Sequence, residues 1–445
     1  MEFLIKASQL IMSLSILIVL HELGHFIPAK LFRTRVEKFY LFFDVRFSLL
    51  KKKIGGTEYG IGWLPLGGYV KISGMIDESL DKEQMKKAPE KWEFRAKPAW
   101  QRLIIMLGGV FVNLILGFFI YSMTLYVYGD KYLSNENLTD GIWCVSDMAS
   151  NLGFKDGDKF LLADGEKINR FSDVMEKILL CKTITVEREG RSVDINMPND
   201  VVDQLLKNEN QPLFYARVPT VIGEVLPASN AEKAGLKKGD FLLAINNSSL
   251  RYFDEFRTEL KNYSGEDIVL NVDRSGENIS IIASVGLDGS LGFSNATPSL
   301  DELEKLGLLS LESYRYGFFA SFPAGYNKAV KKLTSYIDQF MLILKPSSGA
   351  YKGMGGFGAI GSLFPATWNW EVFWNLTAFL SLMLAFMNIL PIPALDGGHV
   401  VFLLYEIIIG KPAPEKVMEG AQMVGMILLL GLLIFANGND ILRLF

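Results

Sequence analysis

The sequence is poor in cysteine and histidine, two residue types that often hold metals. It has two cysteines, Cys144 and Cys181, and three histidines in 445 residues. Two cysteines are too few for a disulfide scaffold or a cysteine-type zinc site, although they could pair with each other in an oxidising compartment. The formal net charge is only −4. The sequence therefore lacks a strong electrostatic attraction to nucleic acid, and we expect no nucleic-acid partner.

Charge is absent, or nearly absent, from four long stretches. Each is close to or above the roughly 20 residues with which a helix crosses a bilayer. None alternates apolar and polar residues as barrel strands do, so we predict four transmembrane helices. Hydrophobic residues make up 49% of the chain, which is high for a soluble protein. The stretches are residues 3–32, 103–129, 372–395 and 420–438.

Two of the three histidines lie in the first stretch, in the motif H-E-x-x-H formed by His21, Glu22 and His25. On a helix, positions i and i+4 share a face, so both imidazoles can bind one Zn²⁺ at about 2.0–2.1 Å. The glutamate beside them can then act as general base, as in metalloproteases. Because Lys6 precedes this apolar run, a cleaved signal peptide is the alternative, but no small-residue cleavage site follows.

The end of the third stretch also has catalytic features. Pro391 and Pro393 interrupt helical hydrogen bonding, and irregular backbone at membrane depth is tolerated only inside protein or beside a cavity. A catalytic zinc site needs three protein ligands and one open position. The spacing alone leaves Asp396 and His399 as rival third ligands.

Basic residues concentrate in the loop between the first two predicted spans, and Lys411 and Lys416 lie between the last two. The positive-inside rule places both loops in the cytoplasm. The long insert at about 130–371 and both termini would then lie outside, with the H-E-x-x-H motif near the cytoplasmic face. The basic residues of the first loop are Arg33, Arg35, Lys38, Arg46, Lys51, Lys52, Lys53, Lys86, Lys87, Lys91, Arg95, Lys97 and Arg102.

The same loop contains two apolar runs, 39–50 and 59–72, separated by lysines and Gly55-Gly56. This pattern predicts strand hairpins. Glycines at Gly67 and Gly68 let another backbone approach closely. A membrane-dipping sheet beside the metal could therefore offer its edge to an extended peptide. An ordinary soluble β-meander is the alternative.

The long insert contains an internal repeat. Residues 152–162 read L-G-F-K-D-G-D-K-F-L-L, and residues 234–246 read A-G-L-K-K-G-D-F-L-L-A-I-N. The pattern resembles PDZ domains, more closely in the second copy, because Ala163-Asp164-Gly165 replaces the Ala-Ile-Asn run in the first. PDZ domains bind chain ends by strand addition. Spacers with closed grooves are the alternative.

Three further features complete the chain. Residues 314–345 predict an amphipathic segment on the membrane surface. The glycine-rich run 356–361 fits the G-x-G-x-x-G pattern, but no strand–turn–helix unit surrounds it, so we interpret it as a turn. Asn113, in the second stretch, can hydrogen-bond across helices.

The paired motifs H-E-x-x-H and N-x-x-P-x-P-x-L-D-G-G-H, at 388–399, resemble the site-2 protease family of intramembrane zinc proteases. The two PDZ-like repeats resemble its bacterial RseP-type members. The resemblance implies one Zn²⁺ per chain, held by His21, His25 and Asp396, with Glu22 as catalytic base. It also implies that Asn388 lies beside the scissile peptide and that Gly67-Gly68 belongs to a sheet that orients substrate.

We group Pro391, Pro393 and Asn113 with these candidate substrate-contacting residues. The family usually has Gly-Pro before its second-span Asn, where this chain has Gly108-Gly109. The implied fold is a multi-domain membrane protein: a four-helix zinc-protease core with a membrane-associated β-sheet, plus two tandem PDZ-like α+β domains outside. The expected divisions are 1–128 for the first two helices and the β loop, 129–212 and 213–296 for the PDZ-like domains, 297–370 for the surface segment, and 371–445 for the last two helices.

The implied activity is cleavage in or near transmembrane segments at the bacterial inner membrane. The expected substrates are single-pass proteins that have already been shortened, such as anti-sigma factors, or remnant signal peptides. Two other classes remain open. A non-proteolytic PDZ scaffold would not need Glu22, and a metal transporter would distribute polar groups across the bilayer rather than cluster them at one end.

Overall fold

The computed structural model describes residues 2–65, 67–75, 88–208, 211–295, 300–305 and 309–442. Lys86, Lys87 and the expected boundary at 296/297 lie outside these ranges. The chain divides into two units. The first unit comprises 1–129, 315–341 and 353–445, and the second comprises 130–314 and 342–352.

The described α-helices are numbered in chain order. They are α1 Glu2–Leu31, α2 Ala99–Tyr128, α3 Asp147–Asn151, α4 Val174–Leu180, α5 Val201–Lys207, α6 Asn230–Lys233, α7 Phe253–Lys261, α8 Leu300–Lys305, α9 Phe318–Ile343, α10 Phe357–Ser362, α11 Trp370–Ile389, α12 Asp396–Ile409 and α13 Glu415–Leu442.

The described strands form small sheets. In the first unit, β1 Val36–Leu41, β2 Phe43–Ile54, β3 Thr57–Leu64 and β4 Tyr69–Ile72 form one sheet in the order β2-β3-β1-β4. The strands of the second unit are β5 Asp130–Leu133, β6 Ile142–Cys144, β7 Lys159–Ala163, β8 Glu166–Lys167, β9 Thr183–Arg188, β10 Arg191–Asn196, β11 Phe214–Ala216, β12 Ile222–Val225, β13 Phe241–Ile245, β14 Ser248–Ser249, β15 Asp267–Arg274, β16 Glu277–Ser284, β17 Phe293–Asn295 and β18 Leu311–Tyr314.

The four predicted spans correspond to α1, α2, α11 and α13, which are long and apolar enough to cross a membrane. One boundary was wrong. The third helix ends at Ile389 rather than Leu395, and a separate helix, α12, occupies part of the expected loop. The prolines at 391 and 393 explain the break, because proline has no amide hydrogen and clashes with the preceding helical turn.

Helices α1 and α2 pack with their backbones in direct contact at two glycines. A Cβ atom on Gly24 would lie 2.4 Å from the Gly108 carbonyl oxygen, and one on Gly108 would lie 1.9 Å from the Gly24 carbonyl oxygen. Small residues at such crossings allow close van der Waals packing within a bilayer. The glycine inside the H-E-L-G-H run therefore fixes how near α2 approaches the two histidines.

The predicted hairpin is present as β2 and β3. Its two-residue turn is Gly55-Gly56, with φ values of +55° and +88°, as a type I′ hairpin turn requires. Strand β1 pairs in parallel with β3 and antiparallel with β4. Strand β4 ends the strand order of this sheet among the described residues.

In the second unit, the two copies of the sequence repeat fold in the same way. Its two four-stranded sheets have corresponding orders, β10-β9-β7-β8 and β16-β15-β13-β14, and separate apolar cores. Each copy contains the same ion pair: the Arg188 guanidinium donates to Asp158 at 2.7 Å, and that of Arg274 donates to Asp240 at 2.7 and 2.8 Å.

The divergence predicted in the first copy is small in the structure. Asp164 and Asn246 both have left-handed φ values, of 47° and 50°. Both side chains accept backbone amide hydrogens of a neighbouring strand, Thr183 in the first copy and Val269 in the second. Aspartate and asparagine tolerate this backbone conformation, so the turn has the same shape in both copies.

Cys144 and Cys181 are both free thiols.

The prediction of a turn at 356–361 was wrong, because Gly356 is the N-cap of α10 and the rest of the run lies in that helix. Asp440 of α13 accepts the backbone amides of Gly356 and Ala359, at 3.0 and 3.1 Å, and Asn437 accepts that of Phe357 at 3.2 Å. A Cβ atom on Gly356 would lie 2.5 Å from the Asn437 side-chain oxygen. The glycine therefore allows a helix cap supplied by α13, and this contact with a distant segment stabilises a helix where the sequence suggested a turn.

Replacing Arg274 with Met should destabilise the second repeat. The Asp240 side chain is only 1% exposed, so losing its guanidinium partner leaves a buried carboxylate unpaired, at a cost of about 3 kcal/mol. We expect amide hydrogen exchange in β13 and β15 of the full-length protein to accelerate about 100-fold. Arg257→Met, an exposed change on α7, is the control. Equal exchange in both variants would contradict the assignment.

The ion pair between Asp240 and Arg274 also predicts that the stability of the second repeat depends on pH. Burial raises the pKa of Asp240, but hydrogen bonds from Arg274 and the Lys237 amide outweigh it, so the pKa lies below its ordinary value. A lowered folded pKa stabilises the fold above the unfolded pKa of about 3.9, and this contribution is lost as pH falls through the folded value. Protection in the wild type should therefore decline below about pH 4.

Candidate metal centre and active site

Helix α1 positions the first two metal-binding candidates. His21 and His25 lie one turn apart, and their Nε2 atoms are 3.2 Å from each other. Glu22 is nearly buried. Because all three residues lie within a 30-residue helix, more than one turn before its end, their backbones are fixed by regular hydrogen bonding before any ligand binds.

Asp396 reaches the same point from the start of α12. The preceding loop turns sharply, and Ala394 has a left-handed φ of 80°, a strained conformation of the kind that clusters at functional sites. Gly397 and Gly398 follow the aspartate. Cβ atoms on them would lie 2.2 Å from the Leu390 carbonyl oxygen and 2.7 Å from the Ile392 carbonyl oxygen. The two glycines thus let the loop fold back against its own helix and direct Asp396 inward.

The three side chains converge on one point. The Asp396 Oδ2 atom lies 3.3 Å from His21 Nε2 and 3.4 Å from His25 Nε2. Ligands about 2.0–2.1 Å from a tetrahedral zinc ion are separated from each other by about 3.3–3.4 Å. The Oδ2 atom is buried without a hydrogen-bond partner among the described residues. The donor types, the spacing and this unpaired oxygen all fit Zn²⁺.

Helix α2 supports the two histidines from behind. The Nδ1 atom of His25 lies 2.8 Å from the Ile105 carbonyl oxygen, which holds the proton on Nδ1 and leaves Nε2 free as a ligand. One turn later, a Cβ atom on Gly109 would lie 2.4 Å from His25 Nε2 and 2.8 Å from His21 Nδ1. The side-chain nitrogen of Asn113 lies 3.3 Å from His21 Nδ1.

The proposed base lies against the edge strand of the sheet. A Cβ atom on Gly68, the residue before β4, would lie 3.6 Å from Glu22 Cγ. A Cβ atom on Gly68 would lie 2.5 Å from Ile18 Cγ2 on α1 and 2.7 Å from the Tyr40 carbonyl oxygen. Glycine at 68 therefore lets the strand pack directly beside the catalytic turn of α1. A cavity of about 560 Å³ opens there and is lined by Glu22, both histidines, Asp396 and residues 68–72.

The sequence-predicted substrate residues separate into two groups. Asn388 and Gly68 line the cavity, and the Asn388 amide nitrogen is 3.3 Å from His21 Nε2. The other four are not among the residues that line it. Gly67 lies beside the Phe43 ring, Pro393 packs against Gly425 of α13, Pro391 is exposed, and Asn113 is fully buried behind His21.

Sequence reasoning missed a second polar cluster beside the same cavity. Tyr69 donates to Asp44 at 2.8 Å, and the Lys38 ammonium lies 3.4 Å from Asp44, so all three form one network lining the cavity. These residues are distributed over β1, β2 and β4, and no spacing in the sequence links them. His399, the rival third ligand, lines the cavity but is not in the group of three metal-binding candidates.

A catalytic-type metal site with a glutamate beside it, built from helices of membrane-spanning length, defines the chain as a membrane metalloprotease. The profile of Peptidase family M50 matches residues 9–432, so the chain belongs to this family. It is a zinc metalloprotease of the site-2 protease type.

Three relatives resemble the chain along nearly its whole length. The Regulator of sigma E protease of Haemophilus influenzae is 28% identical over 472 residues, covering 100% of each chain. Protease RseP of Yersinia pestis is 27% identical over 474 residues, also covering 100% of each. The Metalloprotease MmpA of Caulobacter vibrioides is 26% identical, covering 99% of this chain and 96% of the relative.

Replacing Gly109 with Ala should disrupt the metal centre without unfolding α2, because alanine is a better helix former than glycine. Its methyl group would overlap both imidazoles. We expect the zinc content of the purified protein to fall at least tenfold, by analogy with the loss of groups that orient metal ligands. Gly431→Ala on α13, where a Cβ atom meets nothing within 4 Å, is the control. Full zinc occupancy in the Gly109 variant would contradict the close packing.

Proposed function

We propose that the chain hydrolyses peptide bonds within or near the transmembrane segments of other proteins. One Zn²⁺ per chain is held by His21, His25 and Asp396, with Glu22 as general base. The observation that carries this proposal is the convergence of two imidazole nitrogens and one carboxylate oxygen at 3.2–3.4 Å from one another. This geometry provides three protein ligands and leaves a fourth tetrahedral position for water or substrate.

Glu22 moves the proton during hydrolysis. Zinc, when bound, supplies Lewis acidity that polarises the scissile carbonyl and makes a neighbouring water acidic near pH 7. Glu22 accepts a proton from the attacking water as the water oxygen bonds to the carbonyl carbon. The same residue then delivers that proton to the amide nitrogen as the C–N bond breaks. Glu22 therefore ends the cycle in its starting state.

Strand β4 would present the substrate in an extended form. A transmembrane helix hides its carbonyls in its own hydrogen bonds, so the segment must unwind before attack. Strand β4 ends the strand order beside the cavity and can pair with an incoming strand. Asn388, which also lines the cavity, can hydrogen-bond peptide groups that the unwound helix leaves unpaired.

The hairpin β2–β3 supports a location of this sheet in the membrane. Exposed apolar side chains are spread along it, at Val45, Phe47, Leu49, Leu50 and Ile54. Several large exposed apolar side chains on one hairpin favour contact with a membrane or another protein. We propose that the hairpin dips into the bilayer, with α9 on the membrane surface.

The proposed location is the bacterial inner membrane. The basic residues of 33–102 favour a cytoplasmic position for that loop, which places the metal centre near the cytoplasmic face and both termini outside. The insert then lies outside too. We propose that its two repeats are PDZ-like domains that can bind peptide chain ends.

The proposed substrates are single-pass membrane proteins shortened beforehand by another protease, including anti-sigma factors, and remnant signal peptides. One relative carries the name Regulator of sigma E protease, which supports this class. A PDZ scaffold or a metal transporter is the competing function. Neither needs a carboxylate beside a three-ligand site.

Replacing Glu22 with Gln should abolish cleavage and leave zinc bound, because the amide keeps the side-chain shape but cannot accept the proton. Zinc content and cleavage of a tagged transmembrane substrate, measured on the same purified preparation, test this. His21→Ala is the matched variant and should lose both zinc and activity. Cleavage by the Glu22 variant at the wild-type rate would exclude its role as base.

The proposed requirement for prior shortening makes cleavage depend on the substrate's outer domain. We expect the wild-type protein to cut a membrane-anchored substrate with a short outer segment, and to leave the same segment uncut when a folded domain is fused outside. A flexible, unfolded outer chain of equal length is the control, since it has the same length without the folded bulk. Equal cleavage of all three substrates would contradict the requirement for shortened substrates.

A further inference from the structure

We infer that Asn113 is a positioning residue for the metal centre: its side-chain oxygen accepts the Nδ1 hydrogen of His21 and thereby holds the Nε2 lone pair toward the ion. This inference deepens the proposed function and rests on His21, His25 and Asp396 being the zinc ligands. It moves Asn113 from the substrate side of the site, where the sequence suggested it, to the side that supports the metal.

The chemical requirement comes from the imidazole ring. A neutral histidine carries one ring hydrogen, so a ligand that binds through Nε2 must keep its hydrogen on Nδ1. A buried N–H group without an acceptor costs about 1–3 kcal/mol. Histidine ligands accordingly donate this hydrogen to a carbonyl, carboxylate or water, which fixes the tautomer and the ring orientation.

The structure meets this requirement for His25 through the main chain. Its Nδ1 atom lies 2.8 Å from the Ile105 carbonyl oxygen. For His21, the amide group of Asn113 lies at the corresponding place, 3.3 Å from Nδ1. The Asn113 side chain is fully buried. Asn113 is thus placed to do for His21 what a carbonyl does for His25.

The orientation of the Asn113 amide decides the role. With Nδ2 facing His21, two donors oppose each other, and Oδ1 is buried without a hydrogen-bond partner among the described residues. The two ends of the amide have nearly the same shape, so a half-turn fits the same volume. That half-turn places Oδ1 against the Nδ1 hydrogen. The two donors then no longer face each other, and Oδ1 gains a hydrogen-bond partner. We therefore assign Oδ1 to the His21 side.

The position of Asn113 on α2 agrees with this role. Ile105, Gly109 and Asn113 are spaced by four residues and so share one helix face. The first supplies the carbonyl for His25, and the second leaves room for both rings. The Asn113 carbonyl accepts a 2.7 Å hydrogen bond from Ser381 of α11, which fixes this turn of α2. One stripe of α2 therefore orients both histidines.

A substrate role fits Asn113 poorly. It is not among the residues that line the 560 Å³ cavity, whereas Asn388 is. A buried amide behind a metal ligand contacts the ring rather than the peptide. Its loss should therefore weaken metal binding first and change activity only through the metal.

The test compares Asn113→Leu and Asn113→Asp in the full-length purified protein. Leucine fills a similar volume without an acceptor, whereas aspartate keeps an oxygen at the same place. The matched control is Gln9→Leu. Gln9 is another fully buried amide with an unpartnered oxygen, and it lies on α1 twelve residues before His21. Zinc affinity is measured by competition with a chelator. Cleavage is measured at saturating zinc to obtain kcat and KM.

Asn113→Leu should lower zinc affinity about 10–100-fold with KM unchanged, the range typical of lost groups that orient ligands. Asn113→Asp and Gln9→Leu should keep wild-type affinity. Wild-type zinc affinity in Asn113→Leu with a raised KM would overturn the inference. If Asn113→Leu does not fold, Asn113→Asp provides the test. Loss of zinc binding in Asn113→Asp, which keeps an acceptor oxygen, would also overturn the inference. Wild-type affinity in His21→Ala would instead refute the proposed metal centre itself.

Discussion

Three atoms with lone pairs are held within 3.4 Å of one another on side chains that are largely buried. Without a cation, two imidazole nitrogens and a carboxylate oxygen at this spacing would leave the Asp396 oxygen unsatisfied, and a buried unsatisfied polar group is costly. Two unusual backbone features of the fold lie close to these three atoms. They are the glycine contact between α1 and α2 and the left-handed Ala394 before Asp396.

The same packing connects metal chemistry to substrate presentation. The turn of α1 that carries the ligands also carries Glu22, which lies beside Gly68 just before β4. A strand placed along β4 would therefore lie beside the proposed base. Asn388 lies on the metal side of this cavity, and the Lys38–Asp44–Tyr69 network lies on the side of the sheet. A peptide bond, the proton acceptor and the ion can thus meet in one space, which is what hydrolysis of an unwound transmembrane segment demands.

Much of this architecture could be predicted from local patterns. Runs with little or no charge predicted the four spans, Gly55-Gly56 predicted the hairpin turn, and the four-residue spacing of His21 and His25 predicted their shared face. Features that depend on distant segments could not be predicted. Spacing left two candidates for the third ligand, and only the folded chain brings Asp396 to both imidazoles. The supporting role of α2 could not be predicted either. An asparagine in a membrane span is equally compatible with packing, catalysis or metal support.

The central claim is that one zinc ion is bound by two imidazoles and one carboxylate at the start of α12. X-ray absorption at the zinc edge of the full-length protein tests it most directly. We predict one zinc per chain with two histidine nitrogens and one aspartate oxygen at about 2.0–2.2 Å. The signal of the carboxylate should disappear in Asp396→Ala. A spectrum that is unchanged in Asp396→Ala, or one without histidine scattering, would contradict the account.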